Sequence, residues 1–258
     1  MHRISHLLAL IVICSLFNVF ALAAPAKHMV GGDILRRDGG TASAKIITQC
    51  SVPGTFAITF DDGPHPTYTN QLLEFLKQKN LKATFFVNGQ NYGNIRDNSA
   101  IVQRAFQDGH LIASHTWSHK DLTTLDENGI KTEMIQLEEA LKDIIQVRPI
   151  YMRPPYGNVD DRVLGILDRM GYKVIKWDID TNDFNENLES SKQAYQTKLQ
   201  SLNAQDSGHI SLQHDTHEIT VRDLAPWAYE YIDKMHYKAV TVAECLGNSN
   251  PSTWYNRV

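Results

Sequence analysis

From about residue 51 onward the chain alternates two patterns: short, β-branched apolar runs, and longer stretches in which apolar residues recur every three or four positions. The short runs fall at 55–60 (TFAITF), 83–87 (ATFFV), 110–114 (HLIAS), 150–153 (IYMR), 173–177 (KVIKW), 209–213 (HISLQ) and 239–243 (AVTVA), so about seven strands are expected. The longer stretches, such as TNQLLEFLKQKN and ENGIKTEMIQLEEALKDIIQ, have helical period, and Asp160 and Ser190 stand where helix caps belong. Strands alternating with helices predict a single α/β domain with parallel strands and helical crossovers, closed or partly closed into a barrel. An open doubly wound sheet has the same periodicity. The placement of the unusual polar residues favours the barrel. They follow the runs at 55–60, 110–114, 150–153, 173–177 and 209–213, and in a barrel the loops after the strands converge on one rim.

The beginning of the chain has a different pattern. Arg3 is followed by an apolar stretch that ends at Ala21-Leu22-Ala23, the layout of a secretory signal peptide over 1–23. A membrane anchor would need about 20 uninterrupted apolar residues, and Asn18 breaks the run. Residues 24–49 are Gly-rich around Arg36-Arg37, a dibasic pair that fits either a trimmed pro-segment or a solvated linker. Removing the signal takes Cys14 with it and leaves Cys50 and Cys245, a pair that in a secreted chain suggests one disulfide, with two buried free thiols as the alternative. Such a bridge would remove on the order of 5 kcal/mol of denatured-state entropy. The tail, 248–258, has no lipid-anchor signal, and no Asn-x-Ser/Thr site is present. The composition, 42% hydrophobic and 21% charged over 258 residues, is that of a globular domain. A net charge of −4 without a basic block argues against nucleic acid as a partner. A secreted monomer acting without a membrane is expected.

The candidate chemistry begins at TFDDGPH. Asp61 and Asp62 directed into one cleft would repel, an arrangement relieved if one binds a cation. In SHTWSH, His115 and His119 are four apart, which on a helical turn places both imidazoles on one face. With Asp62 they form a two-histidine, one-carboxylate metal set; taken alone, the His-x3-His spacing fits surface or core histidines equally well. The same set serves non-haem iron oxygenases, so it does not choose a reaction. Thr116 stands where a zinc protease would carry its glutamate, which leaves Asp61 as the candidate base. In MRPPYG, Pro154-Pro155 stiffens the segment, Arg153 can bond Asp61, and Tyr156 can offer its backbone N–H. His214 suits general-acid work, with Asp183 beside it favouring the imidazolium. Tyr92, Trp117 and Trp227 are candidate rim aromatics for stacking on a ligand, with core packing as the alternative.

Together these segments resemble the polysaccharide deacetylase family, carbohydrate esterase family four or NodB-homology domain, most of all its secreted fungal chitin deacetylases. The family pattern T-F-D-D-G-P, H-[ST]-x-x-H, R-x-P-Y, D-x-x-D-W and L-x-H is matched in order at 59–64, 115–119, 153–156, 180–184 and 212–214. The resemblance spans the domain 50–247 and implies a distorted (β/α) barrel. It also implies one divalent ion, Zn2+ or Co2+, on Asp62, His115 and His119, with Asp61 as base, Arg153 as its tether and His214 as acid tuned by Asp183. Tyr156 would be the oxyanion donor through its amide, and Leu212 would line the acetyl pocket. The implied reaction removes N-acetyl groups from chitin or chitooligosaccharides. An acetyl-xylan esterase and a non-catalytic sugar-binding or effector protein are the alternatives. One position departs from the pattern: Phe184 replaces the usual Trp, which alters packing without removing a proton donor or metal ligand.

Overall fold

The structure, a computed structural model, describes residues 45–257. The signal segment, Cys14 and the Arg36-Arg37 pair lie outside the described residues.

The central strand β1 (Thr55–Asp61) is buried along its whole length, as a parallel strand covered on both faces requires. On one side it pairs with β2 (Thr84–Val87), beyond which stand β3 (Leu111–Ser114), β5 (Tyr151–Met152) and β6 (Lys173–Val174). On the other side stand β8 (His209–His214) and then β7 (Ile179–Asp180). All seven run parallel and form a curled half-barrel sheet. A short β9 (Lys238–Ala239) adds to the start of β1, and β4 (Val147–Pro149) pairs antiparallel with β10 (Tyr255–Arg257) in a separate two-stranded sheet. Helices α1 (Tyr68–Gln78), α2 (Ser99–Gln107), α3 (Glu127–Ile145), α4 (Asp161–Arg169), α5 (Leu188–Leu199) and α6 (Ala225–Lys234) form the connections. Among the described residues no helix is long and apolar enough to cross a membrane.

The helical patterns translate directly into packing. Leu72, Leu73 and Leu76 of α1 are fully buried against Phe56, Ile58 and Phe60 in the main core. Asp160 caps α4 as expected, accepting from the Val163 amide at 2.7 Å. Ser190 does not cap α5: Asn187 does, accepting from the Ser190 amide, and the helix begins at Leu188. The strand expected at 239–243 stops at Ala239. Thr241 and Glu244 form a reciprocal capping box that starts α7 (Val242–Cys245), and this local bonding outweighs the β-branched alternation. The expected strand at 173–177 is likewise limited to Lys173–Val174. The next strand, β7, is only two residues long and sits in the polar segment WDIDTNDF, where no apolar run announces it.

Cys50 and Cys245 form a disulfide, with their Cα atoms 4.8 Å apart. The amides of Ser51 and Val52 both donate to the Cys245 carbonyl, so the bridge is doubled by backbone bonds joining the two ends of the fold.

Strand register decides where the polar residues go. Asp61 is opposite both His214 and Phe86, Ser114 is opposite Met152, and Asp180 is opposite Leu212. The residues that end these strands, or directly succeed them, therefore share one rim.

Candidate active site

A cleft of about 570 Å³ opens at this rim, between the ends of β1, β3, β7 and β8. Asp61 ends β1 and is 2% exposed, while Asp62 adopts φ 78°. Gly63 comes next because nothing larger fits: a Cβ there would come within 2.4 Å of the Asp215 carboxylate. His115 extends β3 by donating its amide to the Val87 carbonyl. His119 is not brought to it by a helical turn. Thr116 and His119 both have positive φ (71° and 56°), and this bent loop sets the two rings edge to face with centroids 4.9 Å apart. Tyr156 is a fourth non-glycine residue of the rim in the left-handed region, at φ 59°. Such conformations cost energy and collect where surrounding structure imposes them, commonly at functional sites.

The three metal-ligand candidates converge. Asp62 Oδ1 lies 3.3 Å from His119 Nε2 and 3.6 Å from His115 Nε2, and all three ligand atoms fit within 4.8 Å. That carboxylate oxygen is buried without a hydrogen-bond partner. His115 Nδ1 sits 2.7 Å from the Arg153 carbonyl, which fixes the proton on Nδ1 and frees the Nε2 lone pair. Burial, reinforced by the charge of His119, pushes the His115 pKa well below its ordinary value. Burial also lowers that of His119, against the pull of Asp62. Two neutral imidazoles and an unsatisfied carboxylate oxygen facing one another are a donor set suited to a divalent cation.

Asp61 is held apart from that set. Its Oδ1 accepts from Arg153 Nη1 at 2.7 Å, and its Oδ2 stands 3.7 Å from His115 Nε2. Arg153 is wholly buried; it also donates to Thr59 Oγ1 and the Lys176 carbonyl, and its guanidinium lies 4.2 Å from the Phe86 ring centroid. Burial raises the Asp61 pKa to about 6 despite the opposing charges of Arg153 and His214. Across the cleft, His214 Nδ1 is 2.7 Å from Asp183 Oδ1, and Asp183 Oδ2 accepts from the His214 amide and the Thr220 hydroxyl. Burial alone would drive the proton off His214. The bond and charge of Asp183, aided by Asp61 and Asp62, overcome it and lift the imidazole pKa to about 9.

Residues 48–175 match the family model described as "Polysaccharide deacetylase". The chain is 45% identical over 222 residues to a chitin deacetylase of Pestalotiopsis sp, covering 86% of this chain and 73% of that one. It is 39% identical over 246 residues to a chitin deacetylase of Colletotrichum lindemuthianum, covering 93% and 98% of the two chains. The chain belongs to the polysaccharide deacetylase family. The solved structure of the chitin deacetylase from the fungal pathogen Colletotrichum lindemuthianum superposes with a TM-score of 0.78 at 41% identity, over 83% of this chain and 96% of that one.

On this polysaccharide deacetylase frame the remaining predicted residues separate. Leu212, 5% exposed, lines the cleft; Tyr156, 66% exposed, packs its ring 4.7 Å from that of His119; Phe184, 51% exposed, meets His214 edge-on at 6.0 Å. Of the three candidate stacking aromatics only Tyr92 lines the cleft. Trp117 is spent on packing: its ring lies where a Cβ on residue 89 would come within 1.9 Å, hence Gly89. Trp227 stacks on Tyr231 and meets Tyr195 edge to face. Sequence reasoning missed Trp177, Asn182 and His217 in the cleft wall, and Asp215 behind it. Asp215 is fully buried, accepts from Thr69 Oγ1, and has its pKa raised by burial to about 7. Its adjacency to His214 was the available signal.

Proposed function

We propose that the protein is a secreted, metal-dependent hydrolase that removes N-acetyl groups from chitin or chitooligosaccharides and releases acetate. The observation that carries this reading is the placement of a convergent donor set, Asp62, His115 and His119, between an Arg153-tethered carboxylate and an Asp183-bound imidazole, all in one cleft. The curated relatives named as chitin deacetylases support the substrate. Asp62, His115 and His119 would hold the divalent ion, zinc or cobalt, which when bound supplies positive charge to polarise water and carbonyl oxygen.

The protein's own groups divide the remaining work. One oxygen of Asp61 is fixed by Arg153, leaving the other to accept a proton from the water that attacks the acetyl carbon. The oxygen–carbon bond forms as negative charge collects on the carbonyl oxygen, where the Tyr156 amide would donate; losing one such donor costs roughly 3 to 4 kcal/mol. Leu212 would hold the acetyl methyl. His214, protonated at neutral pH, then gives its proton to the sugar nitrogen as the carbon–nitrogen bond breaks, and acetate and a free amine leave. The catalytic unit on this reading is 50–247, with 1–23 as signal, 24–49 as pro-segment or linker and 248–258 as tail, and the protein works as a monomer. The Cys50–Cys245 bond suits an oxidising compartment.

The test is acetate release from N-acetylglucosamine oligomers before and after exhaustive chelation, with acetylated xylan in parallel. Loss on chelation and recovery with zinc or cobalt is expected, with the oligomers preferred. Full activity of the stripped protein would overturn the metal, and a preference for xylan would make the protein an esterase.

A further inference from the structure

The buried face of α3 is an apolar stripe in which Ile130, Met134, Leu137, Ala140, Leu141 and Ile145 recur at helical spacing. Glu133 stands inside that stripe and is 4% exposed. A carboxylate in such a position is costly unless its charge is bonded, and a leucine would extend the stripe without that cost. What the glutamate bonds is therefore informative.

Glu133 Oε2 accepts from the Ser118 amide at 2.7 Å, and Oε1 accepts from the Ser118 hydroxyl at 2.6 Å. The Glu133 carbonyl accepts from the Trp117 amide at 3.0 Å. Lys120 Nζ lies 3.6 Å from Oε1 on a largely exposed side chain, a weak counter-charge. The carboxylate is thus committed to Ser118, in the bent loop between His115 and His119. Thr116 and His119 are both left-handed there, a backbone that side chains other than glycine rarely adopt unless the surroundings impose it. From the β2 side, Asn88 Nδ2 donates to the His115 and Thr116 carbonyls, and the Gln90 amide donates to the Trp117 carbonyl. Those bonds end at Trp117. Ser118, the residue before His119, is held from α3 by Glu133.

We propose that Glu133 is a positioning residue for the metal centre: it locks Ser118 so that the next residue, His119, returns to face Asp62 and His115. Glu133 acts through the loop and touches neither ion nor substrate. The geometry it fixes is the 3.3 Å separation between His119 Nε2 and Asp62 Oδ1. The inference rests on the metal reading of that donor set. Glu133 is needed for its two bonding atoms and not for its charge, so glutamine should serve in its place. The amide oxygen of glutamine would accept from the Ser118 N–H, and its NH2 group would donate to the Ser118 hydroxyl.

The experiment titrates the metal-free protein with Co2+ alone and follows its visible absorption, which depends on the number and geometry of the protein ligands. Glu133→Leu is expected to weaken cobalt binding by about tenfold to a hundredfold and to shift the spectrum toward that of His119→Ala. Glu133→Gln should stay within about twofold of the parent, a rescue that a lost buried charge would not allow. Ser118→Ala removes one of the two bonds and leaves α3 untouched; it should weaken binding about fivefold, and it decides the question should Glu133→Leu fail to fold. In a His119→Ala background Glu133→Leu should add no further loss, because the ligand that Glu133 places is gone. Unchanged affinity and spectrum in both Glu133→Leu and Ser118→Ala, or an equal further loss in the His119→Ala background, overturns the role of Glu133. A parent protein that binds no cobalt refutes the metal reading, and the proposal falls with it.

Discussion

Strand β8 carries a histidine at each end, and the two make the same bond. His209 Nδ1 is 2.6 Å from Asp178, and His214 Nδ1 is 2.7 Å from Asp183. Both aspartates come from the segment flanking β7. Yet His209 is 1% exposed and its Nε2 is buried without a partner, whereas His214 lines the open cleft opposite Asp61. Asp178 further binds Gln49, Lys198 and the Ile210 amide, which fastens the start of the described chain to the sheet. An Asp–His pair is thus not a chemical site by its own geometry. The end of the strand it occupies decides whether it reaches a substrate or ties the fold together.

The comparison breaks most visibly at His214. His214→Gln should lower kcat on an N-acetyl amide by about 10²- to 10⁴-fold, and much less on an aryl acetate whose leaving group needs no proton; equal losses would remove His214 from the role of acid. His209→Gln should act on stability instead, costing about 2 kcal/mol of unfolding free energy in urea while kcat stays near normal. A fall in kcat without a loss of stability would mean that the two ends are coupled.

Asp183→Asn sharpens the contrast. The His214 pKa is raised from 6.5 to about 9, so the protonated acid persists through neutral pH and the amide rate should fall as pH rises through about 9. Removing the Asp183 charge should move that fall to lower pH. The same sign governs stability: the contribution of this pair is complete below pH 6.5 and is lost as pH rises through about 9. An unmoved alkaline limb would place its origin elsewhere. The smallest effect belongs to Phe184→Trp, which adds ring area edge-on to His214 and should change KM by about threefold or less. A large change in kcat would instead show that this ring positions the acid.

The rim was legible because it depends only on which residues come after which strands, and parallel register then aligns the ends without further information. Asp61, Asp62, His115, Arg153 and His214 all meet on that account. The path by which His119 returns was not legible: the four-residue spacing suggested a helical turn, and two left-handed residues make the bend instead. Local bonding also misled at 239–243, where a capping box overrode a β-branched run. Trp117 and Trp227 could not be told from Tyr92 in sequence, because an aromatic ring on a loop and one under it obey the same composition rules.

The bridge between Cys50 and Cys245 has a mechanical corollary. A tug applied at residues before the first and after the second travels through one sulfur–sulfur bond, and the chain between them, a sequence separation of 195, lies outside the load path. Without it, an unravelling chain would lengthen by roughly 3.3–3.6 Å for every residue released. Resistance to tension in this fold is therefore set by a covalent link, and a reductant would abolish it.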